Sequence, residues 1–381
     1  MECEKMRTAI AEKLGCDVPI FAFSHCRDVV VEVTRAGGFG VLGASTFAPE
    51  LLEQELRWID EHVGGRPYGV DVLIPTTYDR EAEQAGASGD TDRLVPATHL
   101  DFMESILSEA GVQKLPEDER ARVHREIVDG RGNMTPDGAR RLLEVALRHP
   151  GINLVVSALG APPADVVAEL RGRGIMIGAL CGKASHALRQ RAAGVELIIA
   201  QGTEAGGHTG DISTLVLVPQ VVEACPDIPV LAAGGITRGS QIAAALALGA
   251  QGVWTGTIWL GTRESELTPF EKGVLFETRA EDTVRSRVRT GKPVRMVRSR
   301  MSDAWEKPGA PRYLPTPLQG ILYNEIHARI VRSQRRDLYS FPVGQSVCSV
   351  NEETSVREVM LRMQTEYLDA MERLSRFGAE A

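Results

Sequence analysis

Short apolar runs alternate along the chain with longer stretches in which apolar residues recur at helical spacing. The runs are Pro19–Ser24, Phe39–Ser45, Tyr68–Pro75, Asn153–Ala158, Ile175–Cys181, Val195–Gly202, Ile228–Gly235 and Gly252–Thr257. Near-continuous apolar strands imply parallel pairing with both faces covered, and the helices between them imply crossover connections. Most neighbours lie about 20 to 30 residues apart, the length of one βα unit. Eight such units predict an α/β fold closed into a (β/α)8 TIM barrel. An open doubly wound sheet is the competing architecture, but its early GxGxxG turn is absent.

Two regions break the rhythm. The polar segment Thr76–Pro150 predicts a helical insertion after strand three, and the segment after Phe270 predicts a C-terminal helical extension. The expected organisation is therefore a barrel from 1–75 and 151–270, an insertion at 76–150, and an extension at 271–381 that covers the active site. Val356, Val359, Met360, Met363, Tyr367, Met371 and Leu374 form one helical stripe, expected to pack on the barrel, with contact between copies of the chain as the alternative.

Composition narrows the function classes. The 381 residues carry a net charge of −8, which gives no general attraction to nucleic acid. The N-terminus MECEKMRTAIAEKL is charged throughout and does not read as a signal peptide, and no run approaches the roughly 20 apolar residues of a membrane span. The six cysteines form no CxxC pair, which fits reduced thiols and a cytoplasmic location. No Cys, His and carboxylate cluster has metal-ligand spacing, so no metal is expected.

Barrels place chemistry at the C-terminal ends of their strands. After strand seven stand Gly234 and Gly235, opening a helix. At the end of strand eight stands Trp254-Thr255-Gly256-Thr257. Small residues there let backbone N–H groups approach an anion, and a helix N-terminus adds positive potential, so the pair predicts a phosphate site. Tight turns that need glycine are the plainer reading of either motif alone. Strand six ends in Gln201-Gly202-Thr203-Glu204-Ala205-Gly206-Gly207-His208-Thr209-Gly210, a loop able to fold over a planar ring and to hold one imidazole that titrates near neutrality. Strand one ends in Ala22-Phe23-Ser24-His25-Cys26, where His25 or Cys26 could touch substrate. Cys26 at a helix N-terminus would have a lowered pKa; alternatively Ser24 caps that helix and Cys26 is inert. Asp71 interrupts the apolar third strand and reads either as a ligand contact or as a buried, paired aspartate. Arg279–Arg300 is densely basic, which reads as a solvated surface or as a site for the phosphates of a large substrate such as coenzyme A.

Taken together, these motifs resemble the nitronate monooxygenase family. The resemblance rests on Arg35–Ser45, on AQGTEAGGHTG at Ala200–Gly210, on PVLAAGGI at Pro229–Ile236 and on Ala247–Ser265, across most of residues 17–270. It implies an FMN-dependent barrel. Gln201 and Gly206 would contact FMN. Gly235 and the run Trp254, Thr255, Gly256 and Thr257 would hold it, largely at the phosphate, with Ala22, Phe23, Asp71, Gly207 and Gly234 completing the cofactor set. His208 would be the catalytic histidine, taking a proton from a carbon acid or positioning an anionic nitronate. His25, Cys26 and Ser265 would face substrate. The implied reaction oxidises an alkyl nitronate with O2 to a carbonyl compound and nitrite. The alternative is an enoyl-thioester (acyl-CoA) reductase or dehydrogenase exchanging electrons with NAD(P)H, and a third reading is a phosphate-ligand-binding barrel without turnover. The chain departs from the family pattern at Ala22-Phe23-Ser24-His25, where a proline-methionine turn is usual, and at Asp71, where an asparagine is usual. An ionised Asp71 could not donate the amide hydrogen bond.

Overall fold

A computed structural model describes residues 6–74, 95–133 and 135–379. Eight parallel strands close into a barrel in the order β1 (Ile20–Ser24), β2 (Phe39–Gly43), β3 (Tyr68–Val72), β4 (Ile152–Ser157), β5 (Met176–Cys181), β6 (Leu197–Gln201), β8 (Val230–Ala233) and β9 (Gly252–Thr255). Each coincides with one of the eight apolar runs, with β4 beginning one residue before its run, at Ile152. The two-residue β7 (Gly207–His208) lies outside the barrel.

Strand alternation builds two cores at once. Phe21, Phe39, Val41, Leu154, Val156, Ile199 and Leu231 fill the barrel interior. Leu42, Val70, Val72, Val155, Ile198 and Val253 face outward, under the helices. The N-terminal helix Ala9–Leu14 adds Ile10 and Leu14 to the interior set. Thr8 donates to the Gln251 carbonyl ahead of β9, and Asn153 near the start of β4 donates to the Leu14 carbonyl, so this helix closes the N-terminal end of the barrel. The opposite end is left for the site.

The helical ring differs from the sequence expectation in two places. Pro136–Ala146, read from sequence as part of the insertion, packs on β3 and on the helix Pro49–His62, and it is the helix that follows β3 in the ring. The last helix, Val356–Ala379, belongs by sequence pattern to the C-terminal extension. It packs against Gly239–Ala247, which follows β8, and against Arg27–Arg35, which follows β1. It therefore takes the eighth place in the ring. Val356, Val359, Met360, Met363 and Tyr367 are buried there, whereas Met371 and Leu374 are exposed. Gly239 makes the contact close: a Cβ on it would overlap the Met363 carbonyl and the Tyr367 amide.

Residues between β9 and that closing helix form a body of their own. They were expected to be helical, but they also carry two strands, β10 (Thr283–Ser286) and β11 (Val294–Val297). These pair antiparallel with each other, and β11 pairs with β7. A second hydrophobic cluster joins this body to the helix Ala97–Glu109 through Met103, Leu107, Trp305, Ile330 and Tyr339. Buried Arg329 fastens the two, with 2.7 and 3.1 Å bonds to Glu104 and further bonds to the Val112 and Gln113 carbonyls. Most of the guanidinium's donors are thereby used, which offsets the cost of burying the charge.

Candidate active site

The C-terminal ends of the barrel strands meet at one mouth. Alternation places Phe23 on β1, Asp71 on β3, Gln201 on β6 and Trp254 on β9 on the inward face, while Ala22 faces the helices. Thr255 also turns away from the mouth: its hydroxyl donates to the Phe21 carbonyl at 2.9 Å and accepts from the Trp259 indole at 3.0 Å. For Ala22 and Thr255 only the backbone is left for a ligand.

Phe23 and Trp254 make an aromatic floor, stacked with centroids 6.0 Å apart. His25 meets Phe23 edge-on at 5.1 Å, and its Nδ1 lies 3.0 Å from the Gly43 carbonyl oxygen. The ring keeps an exposed edge, yet the packing around it lowers its pKa, opposed by the Gly43 carbonyl. Asp71 has only 5% of its surface exposed. No hydrogen-bond or ion-pair partner reaches it among the described residues, and burial alone pushes its carboxyl up to about 7. Among the described residues, then, nothing pairs with Asp71, and the reading as a ligand contact stays open beside the paired one. An ionised Asp71 could not donate a hydrogen bond, but the raised value leaves a protonated fraction near neutral pH that offers one O–H, as an amide offers its N–H.

Cys26 is buried at the N-cap of Arg27–Arg35, with Sγ 3.0 Å from the Glu264 carbonyl oxygen. Burial pushes the thiol up to about 11. The expected low-pKa cysteine is thus corrected, because desolvation outweighs the helix terminus. Ser24 does not cap the helix either; its Oγ accepts from the Cys26 amide at 3.0 Å. Ser265 sits on the same loop as Glu264, and its hydroxyl accepts from the Leu267 amide at 3.3 Å.

On the opposite side, Gly234 and Gly235 both have positive φ, at 110° and 69°. A Cβ on Gly234 would stand 2.7 Å from the Thr214 hydroxyl. That hydroxyl bonds Glu204, whose carboxylate also accepts from the Thr214 amide at 2.9 Å, so the two residues brace the turn. Neither was singled out from sequence. At Gly256 a Cβ would project into open space, and this residue starts the turn Thr257–Gly261 with no side-chain cap. The helix after β8 is not an open anion site as expected. The Gln241 side chain accepts from the Thr237 and Arg238 amides, and Glu366 accepts from the Gly239 amide at 2.8 Å. Open space beside bare backbone lies at Gly256, whereas a Cβ on Gly234 or Gly235 would meet Thr214 or Glu204.

The loop after β6 is held from the C-terminal side. A Cβ on Gly206 would collide with the backbone of Val343 and Gly344, and the Gly344 amide donates to Thr257 Oγ1 at 2.9 Å. Gly207, at φ 81°, faces open space. His208 pairs with Val294 in the small sheet, and its Nε2 lies 2.9 Å from Thr290 Oγ1. Desolvation lowers the His208 pKa below the ordinary imidazole value, and the charges of Lys292 and Arg289 lower it further, although the side chain keeps exposed surface. Arg289, Thr290 and Lys292 lie within the basic run noted in the sequence. Its density was the available signal; its destination was not.

A family model described as nitronate monooxygenase matches residues 23–366. The chain belongs to this family. A Mycobacterium tuberculosis protein named as a monooxygenase is 48% identical over 97% of this chain and 98% of its own length. A Staphylococcus saprophyticus protein named as a nitronate monooxygenase is 30% identical over 77% of this chain and 79% of its own. Among solved structures, a nitroalkane oxidase from Streptomyces ansochromogenes superposes with a TM-score of 0.76 at 28% identity, covering 96% of this chain and 99% of that one. This chain is accordingly a flavin-dependent oxidoreductase. Its mouth fits such a group: an aromatic floor, unfilled space beside Gly207 and Gly256, and a buried carboxyl at Asp71 that has no partner among the described residues. Among the described residues no cluster could hold a metal ion, and no helix is long and apolar enough to cross a membrane.

Proposed function

We propose that this protein uses FMN and O2 to oxidise an alkyl nitronate to a carbonyl compound and nitrite. The observation that carries the reading is His208, held by Thr290 beside two cationic side chains on the loop after β6, in a barrel of this family. Bound FMN supplies the redox chemistry, taking electrons from the substrate and passing them to O2. The backbone at Gly234, Gly235, Gly256 and Thr257 would hold its phosphate. Phe23 and Trp254 would lie against the ring system, with Gln201 and Asp71 in reach of its polar edge. His208 then has one of two tasks. With a neutral nitroalkane, its unprotonated nitrogen takes the acidic proton from the carbon beside the nitro group. With a preformed nitronate no proton need move, and the imidazole positions the anion.

Steady-state assays test this reading. Nitrite release with matching O2 uptake on ethyl nitronate is the expected result. NADPH-dependent reduction of an enoyl thioester, with no nitrite from any nitronate, would replace it. His208→Asn should retain flavin and lose about 100-fold or more with nitroethane, the usual scale for a lost general base. It should lose much less with ethyl nitronate. Equal losses on both substrates would remove His208 from proton transfer.

A further inference from the structure

The hairpin between β10 and β11 bends its tip onto the loop that carries His208, with Thr290 bonded to His208 and β11 paired to β7. The tip brings Arg289 and Lys292 close enough for their charges to bear on His208. Neighbouring arginines are already engaged. Arg285 pairs with Asp211 at 2.7 Å and Arg300 with Glu109 at 2.5 Å, and Arg295 donates to the Thr203 carbonyl and the Thr283 hydroxyl. Arg289 and Lys292 have no carboxylate partner among the described residues.

Arg289 is also held in place. Its guanidinium lies over the Tyr323 ring, 5.4 Å from the centroid, on the helix Leu318–Ser333. The Tyr323 hydroxyl also lies near enough to feel the guanidinium, which opposes the rise of its pKa, while one nitrogen, Nη1, is buried with no acceptor in hydrogen-bond geometry. On the other face of the same cluster, His327 stacks at 5.5 Å from both Tyr323 and Tyr339, and its Nδ1 is buried without a partner as well. Burial and the charge of Arg289 depress His327 to about 3, so it adds no charge. A buried guanidinium nitrogen without an acceptor is costly, and in a folded protein it calls for a ligand or an ordered water.

We infer that Arg289, supported by Lys292, is the specificity residue that receives the negative charge of a planar oxyanion, placing it beside His208. The inference rests on the proposed reaction and names how its substrate is selected. A nitronate carries two oxygens in one plane, as a carboxylate does, and the rigid fork of a guanidinium matches that geometry where an ammonium group does not. Tyr323 keeps the fork oriented, and the shared positive field favours the unprotonated His208, which would accept a proton only when the substrate enters as the neutral nitroalkane.

Nitrate is the probe, because it is planar, anionic and not turned over. It is titrated into the flavin-loaded protein at constant ionic strength, and the shift in the visible flavin spectrum and in Tm is followed. Parent protein should saturate. Arg289→Met should bind nitrate about 10- to 100-fold more weakly, the range for a lost charge-assisted hydrogen bond, and Arg289→Lys should fall between. Arg298→Met, remote in role, should match the parent. With ethyl nitronate, Arg289→Met should raise KM by a similar factor and change kcat little. Unchanged flavin content and near-UV circular dichroism check that each variant is folded. Equal nitrate binding by parent and Arg289→Met overturns the inference, and so does the absence of nitrate binding by the parent, which would leave only an ordered water on Nη1. Loss of nitrate binding in Arg289→Met, in a protein that never releases nitrite, would sustain the subsite and sink the proposed reaction.

Discussion

Burial leaves Asp71 with a carboxyl pKa of about 7. Between its ordinary value near 4 and that raised value, the folded chain binds more protons than the unfolded chain, so stability must fall as pH rises through this window. Three units correspond to about 4 kcal/mol in all, of which about 2 kcal/mol lies between pH 5.5 and 8. Asp71→Asn removes the titration and keeps a donor at the same place. Denaturant unfolding should therefore show the variant gaining about 2 kcal/mol on the parent as pH goes from 5.5 to 8. Parallel pH profiles would show that Asp71 titrates normally. The aspartate was readable in the sequence as an oddity in an apolar strand, but its protonation state was not, because that depends on what fails to approach it from β2 and β4. Cys26 teaches the same lesson with the same sign: its place at a helix start was legible, and the packing that raises its thiol includes the Glu264 carbonyl, 238 positions away.

At the scale of elements, the barrel strands announced themselves because a strand covered on both faces needs an unbroken apolar run. The pieces that close the mouth did not. β7 has two residues and β10 and β11 four each, too short for an alternation to register, and they are held by pairing with one another. The helix Val356–Ala379 was legible as amphipathic, but its place in the ring was hidden by about a hundred intervening residues, which form the second core. Gly239 offers a direct check on that place. Because a Cβ there would run into the Met363 carbonyl, Gly239→Ala should force the closing helix away from Gly239–Ala247 and cost about 1–3 kcal/mol, as overpacking does. An alanine at this position would ordinarily favour a helix. A variant as stable as the parent in thermal unfolding would mean that the last helix does not belong to the ring.

The whole molecule is a barrel whose last βα connection has grown into a second body, and the candidate site lies where the two face each other. The barrel contributes the aromatic floor, Asp71, Gln201 and the glycine turns after β8 and β9. The second body contributes the hairpin that meets His208 and the segment at Val343–Gly344 that pins Gly206 and Thr257. This division suggests a division of labour, with the cofactor held by the barrel and substrate charge read by the hairpin. The central claim is the phosphate anchor at Gly234–Gly235 and Gly256–Thr257, and the most direct measurement compares FMN with riboflavin, which has the same ring system and no phosphate. Apoprotein titrated with each, followed by quenching of flavin fluorescence, should bind FMN about 100-fold or more tightly than riboflavin, the scale of two charge-assisted hydrogen bonds. Equal affinity for the two would mean that these glycine turns hold no phosphate.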